Sequence, residues 1–124
     1  VLKSILVVVQ KMKDFRYSTV GDWLNPTTDQ RMVLVADLPD DRMRFALALH
    51  EQVEQALCIQ HGVSQVEVDR WDLAFTGDGE PGDDPACPYF NEHAAATQIE
   101  WLYCELSGLD WNDYEKALEE AYNG

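Results

Sequence analysis

His50, Glu51 and Glu54 are ionisable side chains within two turns of an otherwise largely apolar run, residues 45–59. Groups that lose their hydration in such company are paired or bind a metal, because an isolated buried charge is too costly to keep. At about 100° per residue, positions 43, 46, 47, 50, 53, 54, 57 and 61 share one helical face. That face reads Met43, Ala46, Leu47, His50, Val53, Glu54, Leu57 and His61. His50 and Glu54 therefore project the same way, one turn apart, from the stripe that should meet the core, with Glu51 at its margin. An i, i+4 His/Glu pair with a carboxylate directly after the His has the layout of a helical metal site with an attached base.

A second group of the same types follows about forty residues on, with Glu92, His93 and Glu100 around the small residues Ala94, Ala95 and Ala96. Small side chains let a second helix approach closely. If the two long helices pack together, Glu92 or His93 completes a site begun by His50 and Glu54. Two His nitrogens and one carboxylate, with the fourth position left to water, make a catalytic zinc set. Glu51 would then stand where it can take a proton from that water. The competing expectation is a satisfied core histidine, with His50 bonding a carboxylate such as Glu92. His61 reads as a partner of the helix C-terminal dipole rather than a ligand.

The loop carrying Asp78, Glu80, Asp83 and Asp84 lacks the spacing of an EF-hand, and its Gly and Pro content reads as a solvated loop. It leads directly into Pro88–Tyr89–Phe90–Asn91–Glu92–His93, the position of a lid or substrate contact. Trp23, Trp71, Trp101 and Trp111, with Tyr103 and Tyr114, read as packing residues. No basic residues interleave them, so they do not form a stacking platform for single-stranded nucleic acid. There is no Gly-rich phosphate loop, no G-x-S-x-G and no Cys with a paired base.

These side chains need a scaffold, and the sequence predicts one. Residues 2–9, with their Val–Val–Val run, read as a strand. Residues 17–24 read as a second strand with Gly21 at a bulge, and residues 31–37 as a third after the Asn25–Pro26 turn. A small antiparallel sheet is expected before the first helix. That helix opens at Leu38–Pro39–Asp40–Asp41 and closes at Gly62. Ser64–Gln65–Val66–Glu67 is a capping box for a second helix reaching about Phe75. A third helix is expected from about Tyr89 to Leu106, its inward stripe being Ala95, Ile99, Leu102, Tyr103 and Leu106. Asp110 caps a last helix ending near Tyr122. The fold class predicted is α+β: a three-stranded antiparallel sheet followed by four helices, in a single domain spanning 1–124.

Composition narrows the function. The chain has 124 residues, 46% hydrophobic and 26% charged, which is ordinary globular material. Nine basic residues against 23 acidic ones give a formal net charge of −14, which argues against direct nucleic-acid binding. The same charge suits a non-enzymatic acidic binding or inhibitor protein that imitates nucleic acid against a basic partner. Cys58, Cys87 and Cys104 are an odd count without a C-x-x-C pair, so reduced thiols in a cytoplasmic protein are expected. The run Ile5–Val9 is too short to span a membrane and reads as a strand rather than a signal peptide.

The sheet followed by a helix bearing Leu49–His50–Glu51–Gln52–Val53–Glu54 resembles the zincin-like metallopeptidases, whose helix carries H-E-x-x-H with a further ligand downstream. The resemblance covers roughly residues 31–100. It implies a zinc-dependent hydrolase in which His50 is a ligand, Glu51 the general base, and Glu54 stands where the second His of the motif would be. The downstream ligand would be His93 or Glu92. The whole chain is also similar to small uncharacterised phage and prophage proteins, through Val20–Gly21–Asp22–Trp23, the H-E-x-x-E helix, Gly82–Asp83–Asp84–Pro85, Pro88–Tyr89, Glu92–His93 and Leu109–Asp110–Trp111. That similarity implies no activity. A further likeness is to the HD-domain phosphohydrolases, with Glu51 in place of the Asp of their His–Asp pair.

Overall fold

The computed structural model describes residues 1–124. Three strands, β1 (Ser4–Gln10), β2 (Gly21–Leu24) and β3 (Gln30–Ala36), precede four helices: α1 (Asp41–His61), α2 (Gln65–Ala74), α3 (Phe90–Ser107) and α4 (Trp111–Asn123). The class is α+β, as expected, but the sheet is mixed rather than antiparallel. Its order is β1-β3-β2, with β1 parallel and β2 antiparallel to β3. The reason lies in burial. β3 carries Val33, Leu34, Val35 and Ala36, all buried, and takes the centre, so the two earlier strands flank it and do not pair with each other. Residues 17–20 do not extend β2 as predicted. Arg16 and Tyr17 turn toward α2 instead, where they meet Asp69 and Asp72.

The helix ends follow their local chemistry. Asp40 accepts from the Arg42 amide at the start of α1, and Gly62, at φ 73°, closes it in the left-handed region that favours glycine. Ser64 and Glu67 form the reciprocal capping box of α2, and Asp110 accepts from the Asp113 amide to start α4. α1 packs on β2 and β3 with one side and along α3 with the other. Its buried residues are Ala46, Leu47, Ala48, His50, Glu51, Glu54, Gln55 and Cys58. The core-directed face is thus the predicted one, turned slightly so that Glu51 lies inside it rather than at its margin.

α3 reverses the expectation. Three residues of the stripe predicted to point inward are exposed, Ile99 at 41%, Leu102 at 50% and Leu106 at 80%, while Ala95 and Tyr103 are half-buried. Its buried residues are Glu92, His93, Ala96, Glu100 and Cys104. These also recur at helical spacing, but as a polar stripe with Ala96 and Cys104 as its small members. The polar groups that α1 turns inward need partners, and this face of α3 supplies them for His50 and Glu54. Ala96, fully buried, lets the two helices come close enough for that exchange.

Candidate metal centre

The side chains of His50, Glu54 and His93 converge between α1 and α3. His50 Nε2 stands 3.2 Å from Glu54 Oε2, and His93 Nδ1 stands 2.9 Å from the same oxygen. All three residues are buried, and they form a group that could hold a metal ion. A carboxylate only accepts, so both rings direct an N–H at that one oxygen. Two protons thus occupy a place where one divalent cation would supply the same charge.

The outer faces of these groups are held as well. His50 Nδ1 stands 2.8 Å from Glu100 Oε1, and Glu100 in turn accepts from the hydroxyl of the buried Tyr114 on α4. Trp23 Nε1 on β2 donates to Glu54 Oε1 at 3.0 Å. A histidine backed by a carboxylate and a carboxylate oriented by an indole are the supports that ligating residues need. Trp23, Glu100 and Tyr114 extend the sequence reading, which treated both aromatics as packing. The available signal was that a buried indole N–H or phenol O–H requires a partner.

Electrostatics follow from these contacts. Burial opposes charge on Glu54, but hydrogen bonds from His50 and His93 outweigh it and hold the carboxyl at about 2. Burial likewise opposes charge on both histidines. Glu100 and Glu54 nevertheless raise His50 well above its ordinary value, and Glu54 with Glu80 raises His93 to about 10. Glu51 lies apart from this exchange. Burial, and then the charge of Glu54, push its carboxyl well above the usual range. It stands against Gly21, where a Cβ would come within 2.6 Å of Glu51 Oε1. Gly21 therefore marks a close approach of strand and carboxylate rather than a bulge.

The other predicted ligand, Glu92, is buried but directed elsewhere. Its Oε2 stands 2.6 Å from His61 Nδ1, so these two pair with each other at the far end of α1 and not with His50. The acidic loop is solvated, as expected, with Asp78, Glu80 and Asp83 exposed, but two of its carboxylates also face the site. Glu80 Oε2 and Asp83 Oδ1 each reach 3.1 Å from His93 Nε2, across the ring from Glu54. Asp78 and Asp84 make no such approach. The three cysteines are free and buried. No helix is long and apolar enough to cross a membrane.

A second polar cluster lies between the β1–β2 connection, α2 and the start of α3. Asp72 accepts from the hydroxyls of Tyr17, at 3.1 Å, and Tyr89. Nearby, Arg16 bridges Asp22, at 2.9 and 3.0 Å, and Asp69, at 2.9 and 3.1 Å. With the geometry established, comparison of the chain with protein-family models, curated proteins and solved structures finds no match.

Proposed function

We propose that this chain is a divalent-metal-dependent hydrolase of zincin-like character, with zinc held by His50, Glu54 and His93. The observation that carries the reading is the convergence of two imidazole nitrogens on one oxygen of a buried carboxylate, at 2.9 and 3.2 Å. Two nitrogens and one oxygen are a donor set suited to zinc and leave a coordination position free. The bound ion would supply Lewis acidity. His50 and His93 would give up the protons they now direct at Glu54, while Glu100 and Tyr114 keep the His50 ring oriented. Trp23 fixes the second Glu54 oxygen.

Glu51 is the residue left to move a proton. Its carboxyl is held above the usual carboxylate range by burial and by Glu54, which is the direction a general base working near neutrality needs. Because His50, Glu51, Glu54 and His93 are all buried, substrate reaches them when the loop over His93 lifts.

The reading is tested by Glu51→Gln and His50→Ala variants, assayed with a fluorescent casein and with chromogenic phosphate and carboxylate esters. Hydrolysis of one class is expected in the zinc-loaded wild type. Glu51→Gln is expected to keep zinc and lose at least a hundredfold in rate, within the range for a positioned acid–base group. His50→Ala is expected to lose both metal and rate. Equal rates in wild type and Glu51→Gln would remove Glu51 from the chemistry.

One observation favours a second reading, in which the cluster is a metal-free clasp between α1 and α3. Both ring nitrogens of His50 already have carboxylate partners. On that reading the purified protein takes up no zinc, and His50→Ala costs stability alone.

A further inference from the structure

His93 is buried, with 6% of its surface exposed, yet its Nε2 has no acceptor in good hydrogen-bond alignment, only ion-pair contacts. A buried polar atom left without a partner is uncommon and costly. Here two carboxylate oxygens stand within reach, Glu80 Oε2 and Asp83 Oδ1, each at 3.1 Å. Neither lies along the ring N–H direction closely enough to accept its proton, and the three atoms form a group that could hold a metal ion.

We propose that Glu80, Asp83 and the Nε2 edge of His93 form a second divalent-cation position, across the imidazole from Glu54, that holds the loop closed over the buried centre. The geometry of the nitrogen carries the assignment. A hydrogen-bond acceptor stands on the ring N–H axis, whereas the co-ligands of an ion on that axis stand to either side of it. Ligand atoms at right angles on an ion with bonds of about 2.1 Å lie about 3.0 Å apart, close to the spacing found here. One imidazole with two carboxylates, the carboxylate side chains 61% and 66% exposed, suits an oxygen-preferring ion that keeps several waters, such as Mn2+.

The backbone is shaped for the same contact. Gly82, between the two acids in the short 3-10 turn Pro81–Asp83, lies flat against the His93 ring. A Cβ there would meet His93 Cγ at 2.5 Å and Nδ1 at 2.7 Å. The Trp71 indole Nε1 anchors the same turn from α2 by donating to the Pro81 carbonyl at 2.9 Å. The turn is therefore packed against the imidazole ring, not merely near it. The two positions would draw on opposite nitrogens of one imidazole, Nδ1 toward Glu54 and Nε2 toward the loop. The position needs His93 but not His50, so it stands or falls separately from the zinc site.

The test uses the full chain, stripped of metal, titrated first with Zn2+ and then with Mn2+ by calorimetry, with electron paramagnetic resonance counting bound Mn2+. One equivalent of each is expected in the wild type. The isosteric double variant Glu80→Gln/Asp83→Asn, altered only at exposed carboxylates, should bind Mn2+ at least tenfold more weakly and keep zinc. Gly82→Ala, which pushes the turn off the ring, should weaken Mn2+ in the same way. His50→Gln should weaken zinc tenfold or more and leave Mn2+ unchanged. Mn2+ binding of equal strength in the double variant, or none in the wild type, overturns the position. Zinc lost equally in the double variant and in His50→Gln means one shared ion and also overturns it. Mn2+ bound through Glu80 and Asp83 without any uptake of zinc supports the position and removes the buried zinc site instead.

Discussion

Glu54 and Asp72 are carboxylates held inside the same protein, and they respond to it in opposite directions. Glu54, fully enclosed, is held at about 2, whereas Asp72, only half-buried, is raised to about 6. Depth of burial alone would give the reverse order. The partners decide it. Glu54 accepts from two imidazoles that become cations beside it, and from an indole. Asp72 accepts only from two phenols, which stabilise its charge without neutralising it, so desolvation wins. The first cluster is built to hold positive charge and the second to tie three chain segments together.

The largest expected difference between the clusters is in what truncation does. In ion-free protein, His93→Ala or His50→Ala leaves buried carboxylates facing an unfilled position and should cost about 3–5 kcal/mol, read by denaturant unfolding. Trp23→Phe removes one donor to the charged Glu54 and should cost about 1.5–3 kcal/mol. Asp72→Asn keeps an acceptor for one phenol and an amide donor for the other, and should cost about 1 kcal/mol or less. A larger loss at Asp72 than at His93 would dissolve the contrast.

Zinc sharpens it further. At a hundredfold excess over its dissociation constant, the ion should add about 2.7 kcal/mol to the wild type and to Asp72→Asn, and nothing to His50→Ala. Equal stabilisation of His50→Ala would place the ion elsewhere.

The last contrast is in the pH dependence of ion-free protein, where the carboxylates Glu54 and Asp72 have slopes of opposite sign. Glu54 is depressed from 4.5 to about 2, so its contribution is present above 4.5 and lost as pH falls through about 2. His93 is raised from 6.5 to about 10, so its contribution is complete below 6.5 and lost as pH rises through about 10. Asp72 is raised from 3.8 to about 6, so folding binds its proton more tightly and stability falls as pH climbs across that interval. Asp72→Asn should abolish that fall and leave the other two limbs intact. Carboxyl 13C titration by NMR checks both acids directly.

How much of this was legible follows from which signals are local. Caps and helical phase are local, and they placed α1, its limits, and the inward direction of His50 and Glu54. His93 was legible as a partner because few other side chains of its type exist in the chain. The face of α3 was not, because periodicity assigns the apolar stripe to the interior. Here the requirement of His50 and Glu54 for partners overrides that rule and leaves Ile99, Leu102 and Leu106 outside. Strand direction was hidden for a related reason: β3 takes the centre through its burial, which no turn signal encodes. The pairing of Glu92 with His61 and the reach of Glu80 and Asp83 to His93 depend on how a loop lies over a helix, which spacing along the chain does not reveal.

The central claim is that His50, Glu54 and His93 hold one ion, and anomalous diffraction at the zinc edge from crystals of zinc-loaded protein tests it most directly. The account predicts a single strong peak between α1 and α3, about 2.0–2.2 Å from His50 Nε2, His93 Nδ1 and a Glu54 oxygen. An absent peak, with both rings still hydrogen-bonded to Glu54, would contradict it.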